Sequence, residues 1–332
     1  MKKFVAFLLL ACMMLSLAAC GASAGSEYKL GMGVNLSTDS SKENNAQVDA
    51  TVAAVVTDKD GKIVACRLDV AQSKMDVTGG AVDAAKTFKT KMELGDDYGM
   101  VAYGNAIAEW YDQAKAFESY VVGKTAAEVE GLETVVNESG HNVSTDEALL
   151  AGCTMDITAF KAAVVKACND EKGTTFTGKD FTVGVAAITA ADESTAATDS
   201  DDAVVKMYTE YAAAVVGKDG KILAALTDAT QPKITADKNG QITGADFKGT
   251  KRELGADYGM VAYGSAIAEW DAQAKAFADY TVGKTAAEVA GIETTVNESG
   301  HNVTTDETLL ASCTMDISGM MAVIALAANY AR

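Results

Sequence analysis

Two threonines, Thr154 and Thr314, stand in nearly identical surroundings: Ala-Gly-Cys-Thr-Met-Asp-Ile at 151–157 and Ala-Ser-Cys-Thr-Met-Asp-Ile at 311–317. Small residues precede each hydroxyl, Gly152 and Cys153 in one copy and Ser312 and Cys313 in the other, and a helix is expected a few residues later. Backbone with little side-chain cover lets a bulky group and a modifying enzyme approach a hydroxyl. Free amides at a helix start favour a phosphate held nearby. The chemistry this pattern would support is a bulky, phosphate-bearing group held close to the hydroxyl. A threonine that only satisfies a strand end or a helix cap has the same local sequence, so these residues alone leave both readings open. Thirteen residues before each threonine lies a histidine, His141 and His301, in Asn-Glu-Ser-Gly-His-Asn-Val. Histidine suits proton exchange near neutral pH, so it can serve chemistry at the threonine or be a loop residue copied with its surroundings. Cys153 and Cys313 have no histidine or aspartate pairing in sequence that would make either a nucleophile.

These residues come in pairs because the chain is duplicated. Segments 94–157 and 254–317 match at 51 of 64 positions, at a constant offset of 160. The two tryptophans (Trp110, Trp270) and the two histidines are such pairs. Any function built on the duplicated block is expected twice. A looser correspondence extends outward, 28–33 with 181–186 and Asp60-Gly61-Lys62-Ile63 with Asp219-Gly220-Lys221-Ile222. Two units follow, 27–170 and 178–332, joined by a polar linker at 171–177.

Each unit begins with strand patterns. Segments 51–57 and 63–70 flank the turn dipeptide Asp60-Gly61, and 211–216 and 222–226 repeat the hairpin. Polar stretches 37–47 and 191–202 read as long strand connections. Ile107, Trp110, Ala114, Phe117 and Val121 fall at helical spacing, as do Ile267, Trp270, Ala274, Phe277 and Thr281, with Asn105 and Ser265 as expected N-caps. The tryptophans, central in this stripe, are expected in the core, as are Met100 and Met260. Glu109 and Glu269 read as solvated helix positions. Thr125–Glu128 and Thr285–Glu288 form capping-box patterns opening a short second helix. A third helix is expected over 159–168 and again over 319–328. The fold class is α+β, two tandem repeats, each a small antiparallel sheet packed with about three helices.

The formal charge is -18, and removing residues 1–19, which hold two lysines and no acid, makes it -20. Such acidity argues against nucleic acid and anionic lipid surfaces as partners. Of the six cysteines, four lie beyond residue 20, and only Cys153 and Cys313 correspond between repeats. A disulfide framework would be duplicated with the fold, so none is expected. With no CxxC spacing or paired His/Cys cluster, neither a zinc nor an iron–sulfur site is expected. At the N-terminus, Lys2 and Lys3 precede an apolar run over 4–17 and then Leu-Ala-Ala-Cys-Gly. This resembles the bacterial lipoprotein cleavage motif. It implies a signal peptide at 1–19, a diacylated Cys20 and a tether over 20–26 at the outer face of the cell membrane.

The Gly/Ser-Cys-Thr run before a helix, the Asp-Gly-Lys hairpin, Leu94-Gly95-Asp96-Asp97-Tyr98-Gly99-Met100 and the Trp110 segment together resemble FMN-binding domains. In these a dedicated flavin transferase esterifies FMN to threonine. The whole chain looks like the flavinylated lipoproteins of Gram-positive extracellular electron transfer, which carry two such domains behind a lipid anchor. The resemblance implies covalent FMN on Thr154 and Thr314, with Gly152, Ser312, Cys153, Cys313, His141 and His301 beside it. It implies electrons taken from a membrane quinone-linked dehydrogenase system and given to extracellular acceptors such as ferric iron or free flavins. The chain departs from the family pattern in having cysteine where alanine usually precedes the threonine, and Ser312 where glycine is typical. No acid–base or nucleophile–histidine constellation recurs in both units, so a redox carrier is expected rather than a stand-alone enzyme. The alternative is a cofactor-free surface lipoprotein that binds a small molecule or a partner protein.

Overall fold

Residues 48–56, Val-Asp-Ala-Thr-Val-Ala-Ala-Val-Val, do not alternate cleanly between apolar and polar, and a strand of this composition needs cover on both faces. The computed structural model, which describes residues 26–332, shows where that cover comes from. The expected signal peptide and Cys20 lie outside the described residues. Strands β1 (Glu27–Ser37), β2 (Asn45–Thr57) and β3 (Ile63–Asp76) form an antiparallel sheet with β2 in the middle. Ala53 and Val55 of β2 point to one face, where helices α1 (Trp110–Val121) and α2 (Thr158–Cys168) cover them with Trp110, Phe117, Phe160 and Val164. Ala50, Val52, Ala54 and Val56 point to the other face.

That other face is covered by the second unit. Strand β4 (Thr174–Thr177) pairs antiparallel with β1 at the edge of the first sheet. The segment read as a linker is therefore itself part of a sheet, and its Phe176 enters the core. Strands β5 (Phe181–Ala190), β6 (Tyr208–Gly217) and β7 (Ile222–Thr230) make the second sheet, with β6 central. Val183, Val185, Tyr211, Ala213, Val215 and Leu226 pack against Leu30, Met32, Val52 and Val56 in one shared apolar cluster. On its outer face the second sheet carries α3 (Trp270–Tyr280) and α4 (Ser318–Asn329), through Trp270, Phe277, Val323 and Ile324. The order of layers is helices, sheet, sheet, helices. Each large apolar side chain buried between layers contributes about 1.5–3 kcal/mol. The α+β class and the repeated sheet-plus-helix units stand as expected.

Two glycines set how closely helix and sheet approach. A Cβ at Gly31 would lie 1.9 Å from the Ala167 carbonyl oxygen, and one at Gly184 would lie 1.9 Å from that of Ala327. Polar contacts also cross between the units. Lys166 Nζ meets Glu253 Oε1 at 2.8 Å, and the Tyr330 hydroxyl donates to Glu93 Oε1 at 3.2 Å. Glu93 and Glu253 hold equivalent positions in the two repeats, so the contacts are reciprocal. The buried Arg252 guanidinium donates to Asp170 (3.1 Å) and to the Lys172 carbonyl (2.8 Å). The second unit adds a three-stranded sheet of Ala203–Lys206, Lys233–Ala236 and Ile242–Asp246. It packs Val205, Met207 and Ile234 on Val48, Met75 and Val77 of the first unit.

Local readings divide. Thr125 with Glu128 and Thr285 with Glu288 are capping boxes. Asn105 and Ser265 are not N-caps. They end the short helices Met100–Gly104 and Met260–Gly264 in the left-handed conformation, at φ 51° and 52°. Short polar side chains tolerate that conformation best after glycine. The amphipathic stripe therefore begins at Trp110 and Trp270, leaving Ile107 and Ile267 exposed.

Candidate functional site

Helix α1 buries its inward face in the core of the first unit, and its buried residues include two polar ones, Glu118 and Gln113, the latter with no exposure at all. A buried amide must be hydrogen-bonded. Gln113 Nε2 donates to the Ala108 carbonyl at 2.8 Å, and its Oε1 accepts from the Thr154 backbone N–H at 2.9 Å. The Thr154 hydroxyl donates to the same oxygen at 3.3 Å. The second unit repeats this with Gln273, Ala268 and Thr314 at 2.7, 2.9 and 3.3 Å. Each threonine is half-buried, between core residues Cys153 and Ile157 in one unit and Cys313 and Ile317 in the other. The glutamine ties each threonine to the loop before its tryptophan helix.

That loop, 99–109, shows apolar side chains to solvent. Tyr103 is 91% exposed, with Val101 and Ile107 exposed beside it, and Tyr263, Val261 and Ile267 repeat the arrangement. The loop is held from below by Glu109, whose carboxylate accepts the backbone N–H groups of Met100 (2.8 Å) and Val101 (3.0 Å). Glu269 does the same for Met260 and Val261. These glutamates are thus not solvated helix positions but caps of the preceding short helix, which favours negative charge at its start. Met100 and Met260 pack on the core, and Trp110 and Trp270 are inside it.

An aspartate stands at the helix start after each threonine. Asp156 accepts from Thr158 N–H and Asn142 N–H, both at 2.8 Å, and Asp316 accepts from Ser318 and Asn302 likewise. Burial opposes the Asp156 charge, yet these bonds prevail and hold its pKa below the ordinary carboxylate value. Of the amides expected to be free at each helix start, the first, Thr158 N–H and Ser318 N–H, is therefore taken by an aspartate.

His141 and His301 are exposed at hairpin turns between Thr134–Val136 and Asn142–Ser144, and between Thr294–Val296 and Asn302–Thr304. Their backbone N–H groups bond Asn137 and Asn297. The neighbouring Asn142 and Asn302 bond Asp156 and Asp316, so each hairpin end is fastened to the threonine segment. Gly152 and Ser312 precede the threonines at the same surface. A Cβ on Gly152 would come to 2.8 Å from the Ala116 Cβ, whereas Ser312 turns its hydroxyl to the Leu309 carbonyl. Cys153 and Cys313 are fully buried, and burial pushes both thiol pKa values up, away from nucleophile chemistry. The cysteines among the described residues are free thiols.

Sequence reasoning missed Gln113 and Gln273. The available indication was an uncharged polar residue on the inward stripe of a helix, three positions after tryptophan in both copies. Two clefts are lined by other residues: one of about 540 Å³ by Thr174, Asp219 and Val282 among others, and one of about 240 Å³ between the units by Arg67, Asp69 and Tyr330 among others.

Fold and site together define a class: an α+β protein of two repeated units, each presenting one threonine hydroxyl beside an exposed apolar loop. No protein-family model matches the chain. A chlorophenol reductase of Desulfitobacterium hafniense is 33% identical over an alignment of 116 residues that covers 30% of this chain and 36% of that protein. The chain thus spans little more than a third of that relative, a distant and partial one whose name is that of a redox protein. An exported protein of Bacteroides fragilis with a YmcC-like fold aligns over 68% of this chain and 96% of its own at 9% identity. Its TM-score of 0.14 carries no argument. No helix among the described residues is long and apolar enough to cross a membrane.

Proposed function

We propose that this protein is a membrane-anchored extracellular electron carrier holding FMN covalently on Thr154 and Thr314. The observation that carries the reading is the duplicated pairing of a threonine hydroxyl with an uncovered apolar loop, Val101-Tyr103-Ile107 and Val261-Tyr263-Ile267. Large exposed aromatic and aliphatic side chains usually mark a surface that something covers, and the same three residue types recur in both units. The partial likeness to a reductase supports redox work in general.

Attachment would be a phosphoryl transfer by a flavin transferase. Threonine Oγ1 bonds the phosphorus of an activated flavin pyrophosphate, the leaving group takes the electron pair of the broken P–O bond, and the hydroxyl proton is lost. Gln113 and Gln273 hold the threonine backbone, so the hydroxyl is presented from a fixed position. When bound, the flavin supplies the redox chemistry, and the protein supplies tethering, orientation and electrostatics. The tyrosine ring covers one face of an aromatic group beside it, and the exposed histidine stands where protons enter from solvent. The acidic surface disfavours an anionic reduced group and lowers its potential. Anchoring at Cys20 would keep the carrier next to a membrane quinone-linked dehydrogenase system, with ferric iron or soluble flavins as acceptors.

The test is retention of colour. Protein secreted from cells that possess the transferase should stay yellow after denaturation, and Thr154→Ala with Thr314→Ala should bleach it. Colourless wild-type protein from those cells would contradict the proposal and favour a cofactor-free binding lipoprotein.

A further inference from the structure

A carrier with two redox groups on one chain invites a series mechanism, in which electrons enter at one group and leave from the other. The layer order argues otherwise. Thr154 is fastened to α1, on the outer face of the first sheet, and Thr314 to α3, on the outer face of the second. Between them lie two sheets and the shared apolar cluster of Leu30, Met32, Val52, Tyr211 and Val215. Packed layers are separated by about 10 Å each, so three interfaces place the helical layers about 30 Å apart. Electron tunnelling decays exponentially with distance. No stepping stone shortens the path, because the described cysteines are thiols rather than disulfides. The aromatic rings that lie between, Tyr211 and Tyr28, are oxidised only at potentials far above that of a flavin.

We infer that the two threonine sites work in parallel, each exchanging electrons with external partners on its own face and not with the other site. The inference rests on the flavin reading above. At each site an oxidised flavin takes two electrons and two protons from a quinol-type donor, which leaves as quinone. The reduced flavin then gives one electron to each of two ferric ions and releases its protons. Duplication in this account doubles the capacity of one lipid-anchored molecule and gives it two faces at which to meet a partner.

The experiment compares wild type, Thr154→Ala and Thr314→Ala, each expressed with the transferase and its flavin load established by intact mass. Each is reduced and then mixed with ferric citrate in a stopped-flow instrument. Parallel sites predict that each single-site protein delivers about half the electrons of wild type, and that the wild-type trace is the sum of the two. A series path predicts that the protein lacking the exit flavin falls more than tenfold in rate, and that result would overturn the inference. A second measurement needs no flavin: nitroxide labels on Thr154→Cys/Thr314→Cys in a Cys168→Ser background, read by pulsed electron resonance. The expected separation is about 30 Å, and a separation under half of that overturns the inference even if both threonines carry flavin. Absence of flavin from both threonines would instead sink the parent reading, and this inference with it.

Discussion

Replacing Asp69 by asparagine should stabilise the protein at neutral pH and leave it unchanged near pH 4. Asp69 sits on β3 at 1% exposure. Its Oδ1 accepts the Val70 and Met92 N–H groups at 2.7 and 3.1 Å, while Oδ2 has no hydrogen-bond partner among the described residues. Burial raises its pKa from 3.8 to about 6, against the opposing pull of the Thr90 hydroxyl and the two amides. Because the folded pKa lies above the unfolded one, the associated stability is complete below about pH 4 and is lost as pH rises through 6. A shift of this size is worth roughly 3 kcal/mol at 1.36 kcal/mol per unit. Asparagine keeps the Oδ1 acceptor and carries no charge, so Asp69→Asn should escape that loss. Urea unfolding followed by tryptophan fluorescence at pH 4, 5, 6 and 7.5 would measure it. The difference between variant and wild type should grow from near zero to about 3 kcal/mol. Asp228, the equivalent buried carboxyl, is present in both proteins and cancels. If Asp69→Asn is the less stable protein at pH 7.5, the carboxylate is compensated in a way the geometry does not contain, and the reasoning fails.

Further expectations concern packing, the seams and the sites. Gly31→Ala or Gly184→Ala drives a methyl into a helix carbonyl, and each should cost about 3 kcal/mol or more in chemical denaturation, at the upper end of overpacking. Arg252→Ala leaves Asp170 facing the seam without its cation and should cost about 3–5 kcal/mol; a loss below 1 kcal/mol would mean the pair is solvated. Gln113→Ala unmoors Thr154 while leaving Thr314 as an internal control, so flavin loading by peptide mapping should fall at the first threonine alone. Tyr103→Ala should brighten flavin fluorescence from the Thr154 site by removing a stacking ring, and unchanged emission would place the ring elsewhere.

Much of this was legible from residue patterns, for reasons that are local. Capping boxes at Thr125 and Thr285 announce themselves because both partners lie within one helical turn. The tryptophan stripe is visible because helical periodicity brings Trp110, Ala114 and Phe117 to one face. What escaped was non-local. Asn105 and Ser265 are as good for a left-handed helix end as for an N-cap, and only the backbone decides between these. Glu109 reads as a surface acid until the chain folds back to bring Met100 and Val101 to its carboxylate. The strand at Thr174–Thr177 is too short and too polar to stand out, and it forms because β1 offers an open edge. The face-to-face packing of the two units was the largest omission, although the near-continuous apolar run 52–56 already demanded cover on both sides.

The central claim, a redox group held by a phosphate link on each threonine, is tested most directly by the intact mass of the secreted protein made with and without a flavin transferase. Two added masses of FMN less water, mapped to peptides containing Thr154 and Thr314 and lost singly in Thr154→Ala and Thr314→Ala, are the predicted result. Identical masses with and without the transferase would contradict it.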